Sequence, residues 1–553
     1  MAEKVTLELS GGRTIEVEQG TTLLEVSRQF AGEYVSPIVA VRVGNDIKDL
    51  PMIVEKNCSI DLLDLTTDAG NKVYQRSLSF VLIAAVRELF PDSEVVVAHS
   101  ISKGLYCEVN KAAPLTLEEV AAIEQRMRLI VEQDRPFTRK AVPIATAIQL
   151  FETAGNQEKV RLLRQLKRQK VSIYYCGELY DYFYGTMVPS TGYLTLFGLH
   201  YYATGLVLMF PAKEQPDRLP DFFEQPKLAK IFREAEQWGK ILECPYVATW
   251  NEQVQHGDFS DIIRVAEALH EKKIAQLADF VVQNARDVRL VMIAGPSSSG
   301  KTTFAQRLNV QLRVNALRPM PLSLDDYFVN RRDIPLDEFG EADLESIETI
   351  DLALFNDHLL RLLNGERVQV PYYNFTTGQR EYNGKTIQLG KDQPLLIEGI
   401  HGLNERLTSS VPRDNKVKIY ISPLTQLAID QHNRISTTDA RLIRRIVRDS
   451  QFRSHDALQT LKLWPAVRRG EERNIFPFQE DVDIMFNSAL IYELSVLKKY
   501  AEPLLEKVQP TASEYVEARR LLDFLEYFQS VDDMDVPPNS ILKEFIGMSC
   551  FYK

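Results

Sequence analysis

The sequence predicts an α/β fold in which a parallel sheet covered by helices forms the C-terminal half of the chain, preceded by smaller α+β domains. Two observations carry this prediction. A short apolar segment from Leu290 to Ala294 runs into a glycine- and serine-rich turn and then into a helical pattern. Three later apolar segments, PMPLSL, PLLIEGI and VKIYIS, alternate with helical ones. We therefore expect the chemistry to lie at the carboxyl ends of these strands.

Length and composition bound the remaining classes of protein. A chain of 553 residues is too long for one hydrophobic core, so we expect roughly two to four domains. Apolar runs such as residues 80–86 are far shorter than the about 20 residues that cross a bilayer, and MAEKVTLELS lacks the apolar core of a signal peptide. The five cysteines form no CxxC pair and the net charge is −11. These features predict a cytoplasmic protein with reduced thiols, no membrane segment and no broad nucleic-acid surface, and they leave the oligomeric state open.

Residues 1–65 are predicted to form a small β-grasp domain. VTLELS and RTIEVE alternate apolar and polar residues around Gly11-Gly12, which indicates a hairpin. Thr21 or Thr22 is placed to cap a short helix, and PIVAVRV and SIDLLDL predict further strands. This segment resembles the TGS domain of threonyl-tRNA synthetases and some GTPases, which implies a link to RNA. Residues 1–66, however, contain 11 Asp and Glu against 6 Lys and Arg, a balance that does not favour phosphate binding.

Residues 66–215 are similar to the α+β editing domain of threonyl-tRNA synthetases. KVYQRSLSFVLIAAVRELF, GLYCEV, LTLEEVAAIEQRMRLIVEQ and YYCGELYDYFYGTMVP follow one another as in that family. The family's editing centre, an H-x-x-x-H pair with a later Cys and His, falls here on Arg76, Phe80, Phe183 and Met187. The resemblance implies that the fold is kept, and the four replacements predict that the deacylase activity is lost.

Two further segments lie before the sheet. The basic stretch KVRLLRQLKRQK, residues 159–170, is compatible with RNA contact and with a solvated helix face. Residues 216–285 have helical periodicity, notably SDIIRVAEALHEKKIAQLADFVVQ, and predict a helical connector to the C-terminal domain at residues 286–553.

The turn after Leu290–Ala294 reads GPSSSGKT and fits G-x-x-x-x-G-K-[ST] at every position. Its glycines allow backbone conformations in which successive N–H groups point at phosphate oxygens, at the positive end of the following helix dipole. The predicted nucleotide-binding residues are Gly295, Ser297, Ser298, Ser299, Gly300, Lys301, Thr302 and Thr303. Lys301 is expected at the β- and γ-phosphates and Thr302 at Mg²⁺, so the sequence predicts binding of ATP with Mg²⁺.

Acids follow two of the other predicted strands. Asp325 and Asp326 end SLDD, where one carboxylate is placed to orient and deprotonate a nucleophile. Glu398 ends PLLIE, a Walker-B-like position from which an acid serves Mg²⁺. We expect only one of the two aspartates to face the phosphate, because successive side chains of a strand point to opposite sides.

An arginine-rich helix follows, ARLIRRIVRDSQFR. Arg441, Arg445 and Arg448 share one face at spacings of four and three, and Arg453 lies in a predicted loop. A solvated basic helix is one interpretation. A lid that brings arginines over the phosphates is the other, and it suits an enzyme that must neutralise transition-state charge.

Together these segments resemble the uridine kinase/phosphoribulokinase family of P-loop kinases over about residues 287–490, with GPSSSGKTT, SLDDYF, PYYNFTTGQR, LLIEGI and RRIVRDSQFR in family order. The resemblance implies that Asp325 is the catalytic aspartate, helped by Lys301 and Arg448, and that Glu398 and Thr302 serve Mg²⁺. It implies a substrate site formed by Asp325, Tyr327, Glu345, Tyr373, Arg445 and Arg453.

The chain departs from the family pattern at the nucleoside end. Glu345 stands in place of the ribose-binding aspartate, Gly378 in place of the histidine that contacts the base, and His455 in place of one arginine. The phosphate-handling residues are present, whereas the signature of uracil recognition is altered.

The sequence thus predicts an ATP- and Mg²⁺-dependent nucleoside kinase that phosphorylates a 5′ hydroxyl, joined to an inactive editing-like module. A non-catalytic RNA or ribosome sensor that uses ATP as a switch remains an alternative. A GTPase is suggested by Asp337-Glu-Phe-Gly340, which spells DxxG, but the nearest match to guanine-reading NKxD, residues 415–418, ends in lysine. A tRNA-editing hydrolase is disfavoured by the four replaced site residues.

Overall fold

The computed structural model describes residues 3–283, 288–337 and 340–551, and the chain divides into two compact units. The first unit comprises Met1–Gln225 with two short later segments, Tyr246–Ala248 and Ala428–Arg434, and the second comprises the remainder. The amino-acid composition of those two later segments does not distinguish them from the sequence around them. The predicted boundary at residue 285 lies outside the described residues, as do Glu338 and Phe339 of the DxxG segment.

The N-terminal part of the first unit is a β-grasp arrangement, as predicted. Its elements are β1 (Lys4–Leu9), β2 (Thr14–Glu18), α1 (Leu23–Gln29), β3 (Ala40–Val43), β4 (Asp46–Lys48) and β5 (Cys58–Leu63). The strand order is β2-β1-β5-β3-β4, with β1 and β5 parallel. Thr22 caps α1 by accepting the N–H of Glu25, while the Glu25 side chain accepts the N–H of Thr22. Strand β4 is an addition to the four predicted strands.

The rest of the first unit is an α+β domain built around a long buried helix, α2 (Asp68–Leu89). The other helices are α3 (Leu117–Glu132), α4 (Ile144–Thr153) and α5 (Gln157–Gln165). The strands are β6 (Glu94–Ile101), β7 (Gly104–Asn110), β8 (Phe137–Pro143), β9 (Lys170–Cys176), β10 (Leu179–Tyr182), β11 (Gly198–Tyr202) and β12 (Gly205–Met209). They form two antiparallel sheets, ordered β10-β9-β8 and β11-β12-β7-β6.

Three helices stand where the connector was predicted. They are α6 (Pro226–Ile241), α7 (Val247–His256) and α8 (Phe259–Gln283). In the second unit, α8 packs against α9 (Lys301–Val314), where the buried Arg307 pairs with Glu267 at 3.2 Å and with Glu271 at 2.7 Å. The connector helix is therefore part of the same compact unit as the sheet.

The second unit is organised on a five-stranded parallel sheet. Its strands are β13 (Leu290–Ala294), β14 (Met320–Ser323), β19 (Leu395–Glu398), β20 (Lys416–Ser422) and β21 (Ile484–Asn487), and they lie in the order β14-β19-β13-β20-β21. The first four are the predicted strands. β21 was not predicted, and central β13 is buried along its whole length, as expected for a parallel sheet covered on both faces.

The remaining elements surround this sheet. The helices are α10 (Leu352–Leu363), α11 (Thr437–Phe452), α12 (Ala457–Asn474), α13 (Glu493–Leu505), α14 (Tyr515–Leu525) and α15 (Lys543–Ile546). Two small hairpins pair β15 (Val368–Gln369) with β18 (Thr386–Ile387), and β16 (Tyr372–Asn374) with β17 (Gln379–Glu381). Across residues 3–283, 288–337 and 340–551, no helix is both long and apolar enough to cross a lipid bilayer.

Candidate active site

The glycine-rich turn joins the end of β13 to the start of α9, as predicted. Gly300 caps α9 with a φ of +86°, a left-handed conformation that favours glycine. A Cβ at Gly295 would collide with the main-chain carbonyl of Ile421, so only glycine fits the close approach of the turn to β20. The sequence therefore forms the turn for a local reason at Gly300 and for a packing reason at Gly295.

Lys301 lies at the centre of a group of carboxylates. Its Nζ donates hydrogen bonds to the carbonyls of Gly295 at 3.0 Å and Pro296 at 3.2 Å. Burial lowers the pKa of Lys301, and the nearby charges, in order of decreasing effect Glu398, Asp325, Glu544 and Glu345, act in the opposite direction. Asp325, Glu345 and Glu398 were expected at this site, and the structure brings them around the lysine.

Asp325 and Asp326 lie on a 3₁₀ turn, Leu324–Tyr327, and not on the strand itself. The strand alternation assumed from the sequence is therefore wrong, but successive side chains of a 3₁₀ helix still diverge, by about 120°. The carboxylate of Asp326 accepts the Tyr373 N–H at 3.4 Å. Asp325 is the acid whose charge affects Lys301 and Glu398. Asp325 is thus the one that faces the P-loop lysine.

Glu398 ends β19, between Ile293 of β13 and Ser323 of β14 in register. The Ser323 hydroxyl donates to its Oε1 at 2.8 Å. Burial, and then the charge of Asp325, raise the pKa of Glu398 to about 7. A buried carboxylate whose proton affinity is raised by a neighbouring carboxylate fits a bound cation.

Whether these residues fit a bound Mg²⁺ depends on the chemistry of their donor atoms. Within the part of the chain that the structure describes, no three His, Cys, Asp or Glu side chains converge as ligands for a metal ion. Mg²⁺ in phosphoryl-transfer enzymes is usually held by one or two protein oxygens, with water and substrate phosphates completing its shell. Thr302 and Glu398, with Asp325 close by, fit that mode.

The arginine-rich helix α11 meets the P-loop directly. Arg441 Nε donates to the Ser297 carbonyl at 2.9 Å, and Arg445 Nη1 donates to the Ser297 hydroxyl at 2.7 Å. Arg441 also pairs with Glu471 of α12. Both arginines are buried, so in this structure they hold the P-loop in place.

The other two arginines, together with Arg445, gather on Asp449, a buried acid that the sequence analysis did not single out. Arg448 Nη2 lies 2.8 Å from Asp449 Oδ1, Arg445 Nε lies 3.2 Å from Oδ2, and Arg453 Nε lies 3.8 Å from Oδ1. Burial alone would raise the pKa of Asp449, but these three cations hold it below its usual value. The Arg453 guanidinium also lies over the Phe375 ring, 4.9 Å from its centroid.

The expected substrate residues Glu345, Tyr373 and Tyr327 lie in different environments. Glu345 is buried beside Glu471, and burial followed by that charge raises its pKa to about 7. The Tyr373 ring packs edge-on against Phe328 and Phe375 at 5.5 and 5.1 Å between centroids. The structure corrects the expectation that Tyr327 contacts the substrate. Tyr327 is fully buried in the hydrophobic core, with its hydroxyl 3.1 Å from His358 Nδ1. Its aromatic ring stabilises the turn from below and is not exposed to a substrate.

Several residues at this site were missed from the sequence. They are Arg444, Asp449, Glu471, Glu544 and the buried His401, whose pKa burial lowers to about 4. Asp449 directly follows Arg448 in the sequence. An acid that could neutralise the charge of the neighbouring arginines was therefore visible in the sequence. Glu471 and Glu544 belong to no motif, and nothing local in the sequence points to the P-loop.

The four positions of the synthetase family's editing centre hold other side chains in this domain. Arg76 Nη1 donates to the Thr186 carbonyl at 2.6 Å. Phe80 packs on Phe183 at 5.1 Å between ring centroids, and Met187 is buried. The four positions are thus filled by apolar packing and one structural arginine.

The first unit does receive a histidine from its late segment. His432 stacks on Phe183 at 6.2 Å, and its Nδ1 bonds the carboxylate of Asp181. Asp181 also pairs with the fully buried Lys159, which removes that lysine from the predicted basic face. His432 and Asp181 border a cavity of about 600 Å³.

Comparison with known proteins finds different relatives for the two halves of the chain. Residues 290–493 match the model of the phosphoribulokinase/uridine kinase family. Threonine–tRNA ligase from Janthinobacterium sp. (strain Marseille) is 25% identical over 277 residues, 50% of this chain and 40% of that protein. Threonine–tRNA ligase from Symbiobacterium thermophilum is 30% identical over 200 residues, 36% of this chain and 31% of that protein. The chain spans less than half the length of these curated relatives.

Two of the solved structures that resemble part of the chain are kinases by their descriptions. A putative fructose transport system kinase from Silicibacter sp. TM1040 is 18% identical, with a TM-score of 0.28, covering 38% of this chain and 98% of that one. A possible uridine kinase from Bacillus stearothermophilus is 17% identical, with a TM-score of 0.27, covering 39% and 98%. Residues 290–493 are thus similar to the phosphoribulokinase/uridine kinase family, and the N-terminal half that precedes them is similar to threonine–tRNA ligases.

Proposed function

We propose that the second unit is an ATP-dependent kinase that transfers the γ-phosphoryl group to the 5′ hydroxyl of a nucleoside, in the manner of a uridine or cytidine kinase. The observation that carries this proposal is the grouping of Asp325 and Glu398 around Lys301 at the end of a P-loop. A carboxylate beside the lysine supplies the base that a hydroxyl acceptor needs, whereas hydrolysis of ATP alone needs only a positioned water.

Each residue of the group has a part in the transfer. Asp325 orients the acceptor hydroxyl and accepts its proton. Lys301 and Arg448 neutralise charge that develops on the transferred group. Thr302 and Glu398 would hold Mg²⁺, which would supply positive charge to neutralise the transferred phosphate. Arg445, already bonded to Ser297, keeps the loop in register with α11.

The nucleoside end of the proposal rests on aromatic residues. Phe328, Tyr373 and Phe375 form one cluster beside the 3₁₀ turn that carries Asp325. Any base has a π-face that such rings can stack on. A side chain at Gly378 would meet Arg331, since a Cβ there lies 2.9 Å from the Arg331 Cβ and the φ is +68°. We therefore expect base selection to rest on stacking, with less discrimination than a histidine contact provides.

The decisive experiment is an ADP-release assay on the full chain with Mg²⁺-ATP and a panel of ribo- and deoxyribonucleosides. Ribulose 5-phosphate, pantothenate, fructose and D-glycerate serve as acceptors of other classes. Nucleoside-dependent ADP release supports the proposal, and transfer to one of the other acceptors would replace the nucleoside with that substrate. ATP binding without acceptor-dependent release would favour the ATP-switch sensor instead.

Compartment and further partners are part of the same proposal. All five cysteines are free thiols in the structure, which fits a reducing cytoplasm. The basic stretch gives little support to RNA binding, because Lys159 is buried against Asp181 while Arg161 and Arg164 pair with Glu158 and Glu152. We propose a cytoplasmic kinase with a small-molecule acceptor.

A further inference from the structure

The P-loop is covered by a segment from the far C-terminal end of the second unit. We call residues Ser540–Ile546, which include α15, the C-terminal strap. The whole stretch of residues 291–300 is buried, and a Cβ at Gly300 would collide with the Ile541 side chain. The strap is itself buried except at Glu544, which is partly exposed. The strap therefore covers part of the loop at which a nucleotide would bind, while Lys301 and Thr302 remain partly exposed.

One residue of the strap accepts a hydrogen bond from a main-chain N–H that is expected to bind phosphate. Glu544 Oε2 accepts the main-chain N–H of Thr303 at 2.9 Å. Thr303 is the third residue of α9, so its N–H is one of the donors that the helix itself leaves unpaired. Such donors at the N-terminus of a P-loop helix are the groups that hold phosphate oxygens. The Glu544 carboxylate thus takes the place of an anionic ligand.

A second carboxylate occupies the other end of the loop. Glu471 Oε1 accepts the N–H of Ser297 at 2.9 Å, and Arg441 pairs with the same carboxylate. Both ends of the phosphate-binding turn are therefore satisfied by side chains of the chain itself. The main-chain amides that would bind nucleotide phosphates therefore already donate hydrogen bonds to two carboxylates.

The strap is fastened to the body of the unit and is not a loose tail. The Arg444 guanidinium lies over the Phe545 ring, 5.0 Å from its centroid, and its Nη1 donates to the Ser298 carbonyl at 3.4 Å. Lys543 pairs with Asp533 at 2.9 Å, and the Ser540 hydroxyl lies 3.3 Å from the Tyr492 hydroxyl. Arg444 thereby links the strap and the P-loop through one side chain.

We propose that the C-terminal strap is an autoinhibitory element that competes with ATP for the P-loop, with Glu544 standing in for a nucleotide phosphate. The inference rests on the proposed kinase function. The strap must leave before ATP binds, so the measured ATP affinity is the intrinsic affinity reduced by the fraction of molecules in the open state. Activation of the kinase consists of displacing Ser540–Ile546 from the loop.

The opposing interpretation is that the strap forms a wall of the nucleotide pocket. In that case Ile541 and Phe545 would contact bound ATP, and weakening the strap would weaken ATP binding. Weakening the strap should tighten ATP binding if the strap is autoinhibitory and should weaken ATP binding if the strap is a wall of the pocket. One affinity measurement therefore distinguishes the two interpretations.

The first test compares the ATP dissociation constants of wild type, Glu544→Ala and Glu544→Gln, measured by calorimetry with a non-hydrolysable ATP analogue and Mg²⁺. Loss of a charge-assisted hydrogen bond that holds the closed state should tighten binding about tenfold in Glu544→Ala, with Glu544→Gln intermediate. Glu506→Ala is the matched control, because Glu506 is an exposed acid just after α13. Equal or weaker binding by both Glu544 variants would overturn the proposal.

The second test uses the unmodified chain and is independent of how the variants fold. Hydrogen exchange followed by mass spectrometry should show faster exchange in peptides covering residues 538–551 when the ATP analogue is added. The same samples should show slower exchange at residues 295–303. Slower exchange in the strap on adding nucleotide would overturn the proposal and support the wall interpretation.

These tests separate the strap from the kinase assignment. If wild type binds the analogue with the same affinity as the Glu544 variants and turns over a nucleoside, the kinase stands and the autoinhibitory strap fails. If neither wild type nor any Glu544 variant binds the analogue, the proposed function fails and the strap proposal fails with it.

Discussion

The carboxylate of Asp326 accepts the main-chain N–H of Tyr373 at 3.4 Å, while its neighbour Asp325 interacts electrostatically with Lys301 and Glu398. The two aspartates of SLDDYF therefore have different tasks. Asp326 fastens the β16 hairpin to the 3₁₀ turn, and Asp325 is left to act on the acceptor.

The first prediction concerns this division. Asp325→Asn keeps the shape and removes the base, so kcat should fall by about 10²–10⁴, or about 3–5 kcal/mol of barrier. Asp326→Asn keeps an acceptor for the Tyr373 N–H and should change kcat far less. Steady-state kinetics with the best acceptor of the panel compare the two. A dead Asp326→Asn beside an active Asp325→Asn would reverse the assignment.

The second prediction concerns Lys301. Lys301→Ala removes the only point charge of the P-loop and should reduce turnover by at least about a hundredfold, because charge on the transferred group is no longer neutralised. The fold should persist, which the thermal unfolding temperature checks. Lys391→Ala, at an exposed lysine, is the control and should behave as wild type. Wild-type turnover in Lys301→Ala would contradict the ATP site.

The third prediction concerns pH and Glu345. Burial and the Glu471 charge raise the pKa of Glu345 to about 7, against the cations Arg445, Lys301 and Arg441 that face it. The folded protein therefore binds this proton more tightly than the unfolded chain. Its stabilising contribution is complete below about pH 4.5 and is lost as the pH rises through 7.

Glu345→Gln removes that titration, so its unfolding temperature should fall less than that of wild type between pH 5 and pH 8. Thermal unfolding at both pH values measures the difference, and Glu506→Gln controls for loss of an acid at an exposed position. Parallel pH dependence in wild type and Glu345→Gln would show that Glu345 titrates normally.

The fourth prediction concerns the close approach of the P-loop to β20. Gly295→Ala places a methyl group against the Ile421 carbonyl, and the backbone must shift. We expect a loss of about 1–3 kcal/mol in the free energy of unfolding, with weaker ATP binding. Gly390→Ala is the matched control, since its nearest neighbour would be 3.7 Å from the new Cβ. Denaturant unfolding of both variants tests this, and equal stability would place the loop farther from β20.

The fifth prediction concerns the editing-like domain. Because Arg76, Phe80, Phe183 and Met187 supply neither a metal ligand nor a base, the protein should not hydrolyse mischarged seryl-tRNA above the uncatalysed rate. A threonyl-tRNA synthetase provides the positive control. Hydrolysis that disappears in His432→Ala would show instead that the histidine delivered by the late segment has rebuilt a base beside Phe183.

Much of this molecule follows from local sequence. The four apolar segments become β13, β14, β19 and β20 because a strand buried on both faces needs a continuous apolar run. GPSSSGKT forms its turn because Gly300 takes a φ of +86° that other residues avoid. Asp325 and Glu398 meet because carboxyl ends of neighbouring parallel strands share one edge of the sheet.

Only the tertiary structure decided what occupies the P-loop and where the late segments go. Glu471 and Glu544 reach their amide partners across 174 and 241 residues of chain, and His432 reaches Asp181 across 251. Periodicity and motif spacing describe residues that are neighbours along the chain. A carboxylate that satisfies a distant amide is chosen by the packing of whole helices, α12, α15 and α9, so its identity emerges only when they are assembled.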